Sequence, residues 1–193
     1  MPRLPVLVLA VLDGWGLSNL EHGNAIAQAH IPTFKKLCSR YPWTCLEASG
    51  SRVGLPENQA GNSEVGHFNI GAGRAIHQNI TRINQAISSG EFFHNKAIRR
   101  ILQVARGRRL HLLGLISDGG VHSHLNHLTA LLRFAQKEGV KEVFIHGFTD
   151  GRDAPLKKGQ DYLRNIMEQT RQIGLGHIAS ISGRYYAMDR DKR

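Results

Sequence analysis

Apolar positions follow two periods along the chain. Short aliphatic or β-branched runs at Val6–Leu12, Trp43–Glu47, Leu110–Ile116, Glu142–His146 and His177–Ile181 predict strands. Between them, apolar residues recur at helical spacing over Ile31–Arg40, Arg82–Ile87, Lys96–Ala105, Leu125–Lys137 and Gln160–Gln172, and helical character also starts at Ser63. Pro32 stands at a helix start, where its missing N–H costs nothing. Strands alternating with helices predict an α/β fold with a parallel, helix-covered sheet. Three of the strands run into polar or glycine-rich turns: Ser117-Asp118-Gly119-Gly120, Gly147 to Asp153, and Ser182-Gly183-Arg184. In open sheets of this kind ligands bind beyond the carboxyl ends of the strands, so these turns are expected to converge.

Composition narrows the function classes. The chain has 193 residues, 41% hydrophobic and 21% charged, which is a globular balance that excludes disorder and coiled coil and leaves room for one or two small domains. The longest aliphatic run stops at Asp13 and is too short to span a membrane. Cys38 and Cys45 have neither C-x-x-C spacing nor partners enough for a disulfide framework, so a reducing compartment is expected. The net charge is +10, and Arg99, Arg100, Arg106, Arg108 and Arg109 cluster. That cluster admits a nucleic-acid-binding module, but it carries no interleaved aromatics and no nucleic-acid motif. A basic protein that handles small anions is the other reading.

Several residues are placed for chemistry. Asp13, held by Gly14 and Gly16, would project at the end of the first strand as a ligand for a hard divalent cation, or serve as a turn residue. Ser63 opens a helix, where backbone N–H groups and the dipole favour anions; it is either a cap or a metal-activated nucleophile toward phosphorus. The run His122-Ser123-His124-Leu125-Asn126-His127 admits a dinuclear zinc hydrolase, with Asn126 where such sites carry aspartate, or phosphate binding and proton transfer by a single histidine. In Asp150-Gly151-Arg152-Asp153, Arg152 can bind a phosphate or carboxylate and Asp153 can move a proton, or the tetrad is an ion-paired turn. Arg184 and Arg190 flank Tyr185-Tyr186 and could complete an anion clamp.

Together, Leu12-Asp13-Gly14-Trp15-Gly16, Gly61-Asn62-Ser63-Glu64-Val65-Gly66-His67 through Gly71-Ala72-Gly73-Arg74, Ser117-Asp118-Gly119-Gly120-Val121-His122-Ser123-His124, Asp150-Gly151-Arg152-Asp153 and Ser182-Gly183-Arg184-Tyr185-Tyr186 with Met188-Asp189-Arg190-Asp191 resemble, in order, the cofactor-independent phosphoglycerate mutases of the alkaline phosphatase-like superfamily. The resemblance implies interconversion of 3-phosphoglycerate and 2-phosphoglycerate through a phosphoserine, with two Mn²⁺ ions and no bisphosphoglycerate. It implies Asp13 and Ser63 as ligands of one metal and Ser63 as nucleophile. His122, Arg152, Arg184 and Arg190 would bind substrate, and Asp153 would act as acid and base. It further implies an incomplete alkaline phosphatase-like domain over 1–77, followed by an incomplete α/β substrate-binding insert domain over 78–193. The family's remaining metal ligands lie further along its sequence, so the metal site here is expected to be incomplete and the chain alone inactive. A cytoplasmic monomer that binds neither membrane nor nucleic acid is the accompanying expectation.

Overall fold

The computed structural model describes residues 6–188. The first part of the chain carries helices α1 (Ala25–Gln28), α2 (Pro32–Arg40), α3 (Ser63–Ala72) and α4 (Asn79–Ser89). Then come α5 (Lys96–Val104), β1 (Arg109–Ile116), α6 (Leu125–Lys137), β2 (Glu142–Thr149), α7 (Gly159–Ile173), β3 (His177–Gly183) and the short α8 (Arg184–Ala187). Local chemistry sets most boundaries. Asn62 caps α3 by accepting from Val65 N, Asn95 caps α5 by accepting from Ala97 N and Ile98 N, and His124 caps α6 through Asn126 N. Gly73, Gly90 and Gly174 end α3, α4 and α7 in left-handed conformations.

The strands form one parallel sheet in the order β1-β2-β3, with Arg109 opposite Glu142 and Phe144 opposite His177. Helices α6 and α7 make the crossovers that parallel strands require. They bury one sheet face, where Val143, Ile145 and Ile116 pack with Leu132, Phe134, Ala135, Tyr162, Ile166 and Ile173. Phe134 is 0% exposed and meets Phe92 and Phe93 edge-on, at centroid distances of 6.2 and 5.7 Å. A second, smaller apolar cluster of Val53, Leu55 and Val65 lies under α3.

Two predicted strands are not formed. Val6–Leu12 and Trp43–Glu47 run without regular structure, and their apolar side chains face solvent, with Leu7 93% exposed. A strand exists through the ladder it shares with a neighbour. Among the described residues no strand lies beside either segment.

Candidate active site

Chemistry-bearing residues gather in two places. The first is the N-terminus of α3. Ser63 is its first residue and is exposed. Its Oγ donates to Asp13 Oδ2 at 2.5 Å, fifty positions away in the sequence. The Asp13 turn is closed by Trp15 N donating to Leu12 O at 3.1 Å, and the Trp15 ring leans on Phe34 of α2 with centroids 5.0 Å apart. His67, one helical turn after Ser63 on the same side of α3, brings Nδ1 to 3.3 Å from the Ser63 hydroxyl and 2.8 Å from its carbonyl oxygen.

The loop before α3 is drawn in tightly. A Cβ on Gly61 would stand 1.7 Å from the Ala48 carbonyl oxygen, and one on Gly54 would stand 1.9 Å from that of Ile76. Asn69 clips this loop to the chain that follows α3, donating to Val53 O and accepting from Ile76 N. A carboxylate and a hydroxyl are hard oxygen donors of the kind that suit Mg²⁺ or Mn²⁺. Two donors are too few to make a site by themselves, and among the described residues no group of three or more His, Cys, Asp or Glu side chains is arranged to hold a metal ion.

The second place is the carboxyl edge of the sheet, where the three predicted turns meet. Arg184, at the end of β3, donates from Nη1 to Asp150 Oδ1 at 2.9 Å and to Asp153 Oδ2 at 2.5 Å, while its Nη2 lies 3.2 Å from His122 Nε2. His122 Nε2 is 3.8 Å from Asp153 Oδ2. The glycine pair lets the first turn approach the second closely: a Cβ on Gly119 would stand 2.5 Å from the Asp153 carbonyl oxygen. Arg152 is exposed. Arg190 lies outside the described residues.

Asp150 organises this edge, and its side chain is only 2% exposed. It accepts from Ser117 Oγ at 2.8 Å and from the backbone N–H groups of Arg152 and Asp153 at 3.0 and 3.1 Å, as well as from Arg184. Burial by itself pushes the Asp150 carboxyl up, but these four donors outweigh it and hold it below its ordinary range. The bond to Asp153, helped by Asp150, raises the Arg184 guanidinium further against partial burial. Beside them, Tyr162 of α7 donates to Asp118 Oδ1 at 2.5 Å, and burial together with that carboxylate pushes the phenol up to about 12.

Sequence reasoning missed Asp150, Ser117, Tyr162 and His67. His67 had a signal, the spacing of four from Ser63 on a helix. Asp150 had only its place before Arg152, because its partners come from three separate turns.

The zinc-hydrolase alternative does not survive. His122 faces Arg184 and Asp153, His124 caps α6, and His127 Nε2 meets Asn84 Oδ1 at 2.7 Å. The His127 imidazole is pushed down by burial and then by His124, which leaves it a neutral partner in a structural contact. The arginine cluster is also partly neutralised. Arg99 and Arg106 share Glu138, at 3.0 and 3.2 Å, and Arg109 faces Glu142 at 3.6 Å. No described helix is long and apolar enough to cross a membrane.

Comparison with known proteins identifies the family. A family model described as the BPG-independent PGAM N-terminus matches residues 83–193. The chain is 54% identical over 189 residues to the 2,3-bisphosphoglycerate-independent phosphoglycerate mutase of Moorella thermoacetica, covering 97% of this chain and 37% of that protein. It is 50% identical over 195 residues to the enzyme of the same name from Clostridium beijerinckii, covering 100% and 38%. A crystal structure of Leishmania mexicana phosphoglycerate mutase at low cobalt concentration superposes with a TM-score of 0.74 at 34% identity, over 91% of this chain and 34% of that one. The chain thus spans a little over a third of the length of these curated relatives.

Proposed function

Because the chain belongs to the BPG-independent phosphoglycerate mutase family, we propose that it supplies the nucleophile and part of the substrate grip for interconverting 3-phosphoglycerate and 2-phosphoglycerate. The observation that carries this reading is the Ser63 hydroxyl meeting Asp13 at the N-terminus of α3. In this proposal residues 1–77 belong to the phosphatase-like metal domain and 78–193 to the substrate domain of a cytoplasmic enzyme. Asp13 and Ser63 would hold one of two Mn²⁺ ions, whose charge lowers the pKa of the serine hydroxyl.

The residues of the chain divide the remaining work. Ser63 Oγ, its proton lost to water beforehand, bonds to the phosphorus as the bond from phosphorus to the glycerate oxygen breaks, leaving phosphoserine and free glycerate, and it departs as the alkoxide again on return. The helix N-terminus stabilises the phosphoryl charge. Arg152, Arg184, Arg190 and His122 keep the anionic glycerate bound while it reorients. Asp153 moves the proton: it supplies one to the departing glycerate oxygen and takes one from the hydroxyl that attacks phosphoserine on return. Transfer stays within one enzyme, so no bisphosphoglycerate primer is needed.

Two titrations test the reading on this chain. By calorimetry, Arg184→Ala is expected to weaken 3-phosphoglycerate binding about tenfold or more, the worth of a hydrogen bond to a charged group. By Mn²⁺ paramagnetic resonance, Asp13→Ala is expected to weaken metal binding roughly tenfold or more, since even outer-shell partners of a metal are worth that much. Failure of the chain to bind 3-phosphoglycerate, or indifference to both substitutions, would count against the proposal.

A further inference from the structure

The sheet face turned away from α6 and α7 carries a hydrogen-bonded chain of side chains to which the mechanism proposed above gives no part. The two-residue period of strands puts His111 and Leu113 on this face of β1, and Phe144 and His146 on this face of β2. In β3 the pairing register shifts between Ile145 and His146, so that Ser180, rather than Ala179, stands opposite His146. Such irregularities re-aim a side chain. Ser180 Oγ lies 2.7 Å from His146 Nδ1, and His146 Nε2 lies 2.9 Å from His111 Nδ1. The two ring centres are 5.2 Å apart with planes inclined by 20°. Nitrogens this close with ring centres this far apart mean that the imidazoles lie end to end, joined by an in-plane hydrogen bond. Ser180 and His111 are exposed and His146 is half-buried.

We propose that Ser180 is a second activated serine, a nucleophile toward activated esters, with His146 as its general base and His111 as a positioning residue. A hydroxyl within hydrogen-bond reach of an imidazole whose other nitrogen is held by a third group is the arrangement that activates a nucleophile. With its proton on Nε2, His146 donates to His111 Nδ1 and offers its Nδ1 lone pair to the Ser180 proton. As Oγ bonds to the acyl carbon, that proton passes to His146 Nδ1. The ester carbon–oxygen bond then breaks, and the departing alkoxide takes the proton from Nδ1 and leaves as the alcohol. His111 accepts from Nε2–H throughout and stabilises the transient imidazolium. Leu113, paired with His146 across β1 and β2 and 68% exposed, offers an apolar rest for a short acyl or aryl group. Neither Ser63 nor Arg184 takes part, so the proposal stands or falls apart from the mutase reading.

The test treats the purified chain with p-nitrophenyl acetate and, separately, with a fluorophosphonate, and maps the modified residue by peptide mass spectrometry. Label is expected at Ser180. His146→Gln is expected to slow labelling about 100-fold, the low end of general-base assistance. His111→Leu is expected to slow it about tenfold, and His111→Gln, which keeps an acceptor for Nε2–H, to restore it to within a few-fold of the parent. Unchanged far-ultraviolet circular dichroism shows that each variant is folded. Absence of label at Ser180, or labelling of Ser180 at the parent rate in His146→Gln, would overturn the proposal.

Discussion

Asp150→Ala is expected to destabilise the sheet half of the chain by about 3–5 kcal/mol in urea unfolding, as breaking a buried ion pair from one side does. The carboxylate is 2% exposed and its Arg184 partner 12% exposed. Its removal strips acceptors from the N–H groups of Arg152 and Asp153 and from the hydroxyl of Ser117, which is 1% exposed and has no water to turn to. Arg184 keeps its bond to Asp153, which is why the lower half of the range is the sounder figure. The same residue sets an acid limb. Its folded pKa lies below the ordinary 3.8, so the stability it contributes is fully present above that value. It is lost as pH falls through the lower folded pKa. Asp150→Ala should therefore flatten the fall in stability on acidification below about pH 4, measured as the urea midpoint against pH. An unchanged midpoint at neutral pH would mean that the arginine and the backbone donors find other partners.

Phe134→Ala is expected to cost about 3–5 kcal/mol, the range for deleting a buried aromatic ring. Phe134 is 0% exposed, forms a triangle of mutually touching rings with Phe92 and Phe93, and has the Arg99 guanidinium 5.8 Å from its ring centre. Two rings and a cation therefore lose a face at once, and the segment Glu91–His94 loses its seat on α6. Phe134→Leu keeps most of the volume and should cost far less, so the difference between the two urea midpoints measures the cavity. Equal midpoints would show that the aromatic box collapses without penalty.

Much of the sheet half was legible in the sequence because its signals are local. Leu125–Lys137 has the same bounds in the sequence pattern and in the structure, since the apolar stripe begins just after a capping His124 and runs on to the turn at Gly139. Helix α7 and strands β2 and β3 are two or three residues longer than their sequence patterns, the usual fraying of a periodicity argument at element ends. Val6–Leu12 misleads because an aliphatic run has the same composition whether or not a neighbouring strand pairs with it. Asp13 was expected at a strand end; the strand is missing, yet the Gly14 turn and the Trp15–Phe34 contact still deliver its carboxylate to Ser63. The family motifs name side chains that the structure brings together, Asp13 with Ser63 and His122 with Asp153 and Arg184. They could not give Asp150 or Tyr162, whose importance lies in burial and in partners contributed by other turns. The Ser180 alignment was still less visible, because one extra residue in β3 decides which side chain faces His146.

The helix that presents Ser63 rests on three buried apolar side chains, whereas thirteen stand behind the sheet among the described residues. Heat is expected to act on these unequal supports in turn, parting Ser63 from Asp13 while Arg184 is still held by Asp150 and Asp153. Such a chain is expected to melt in more than one step, with the α3 end opening before the sheet end.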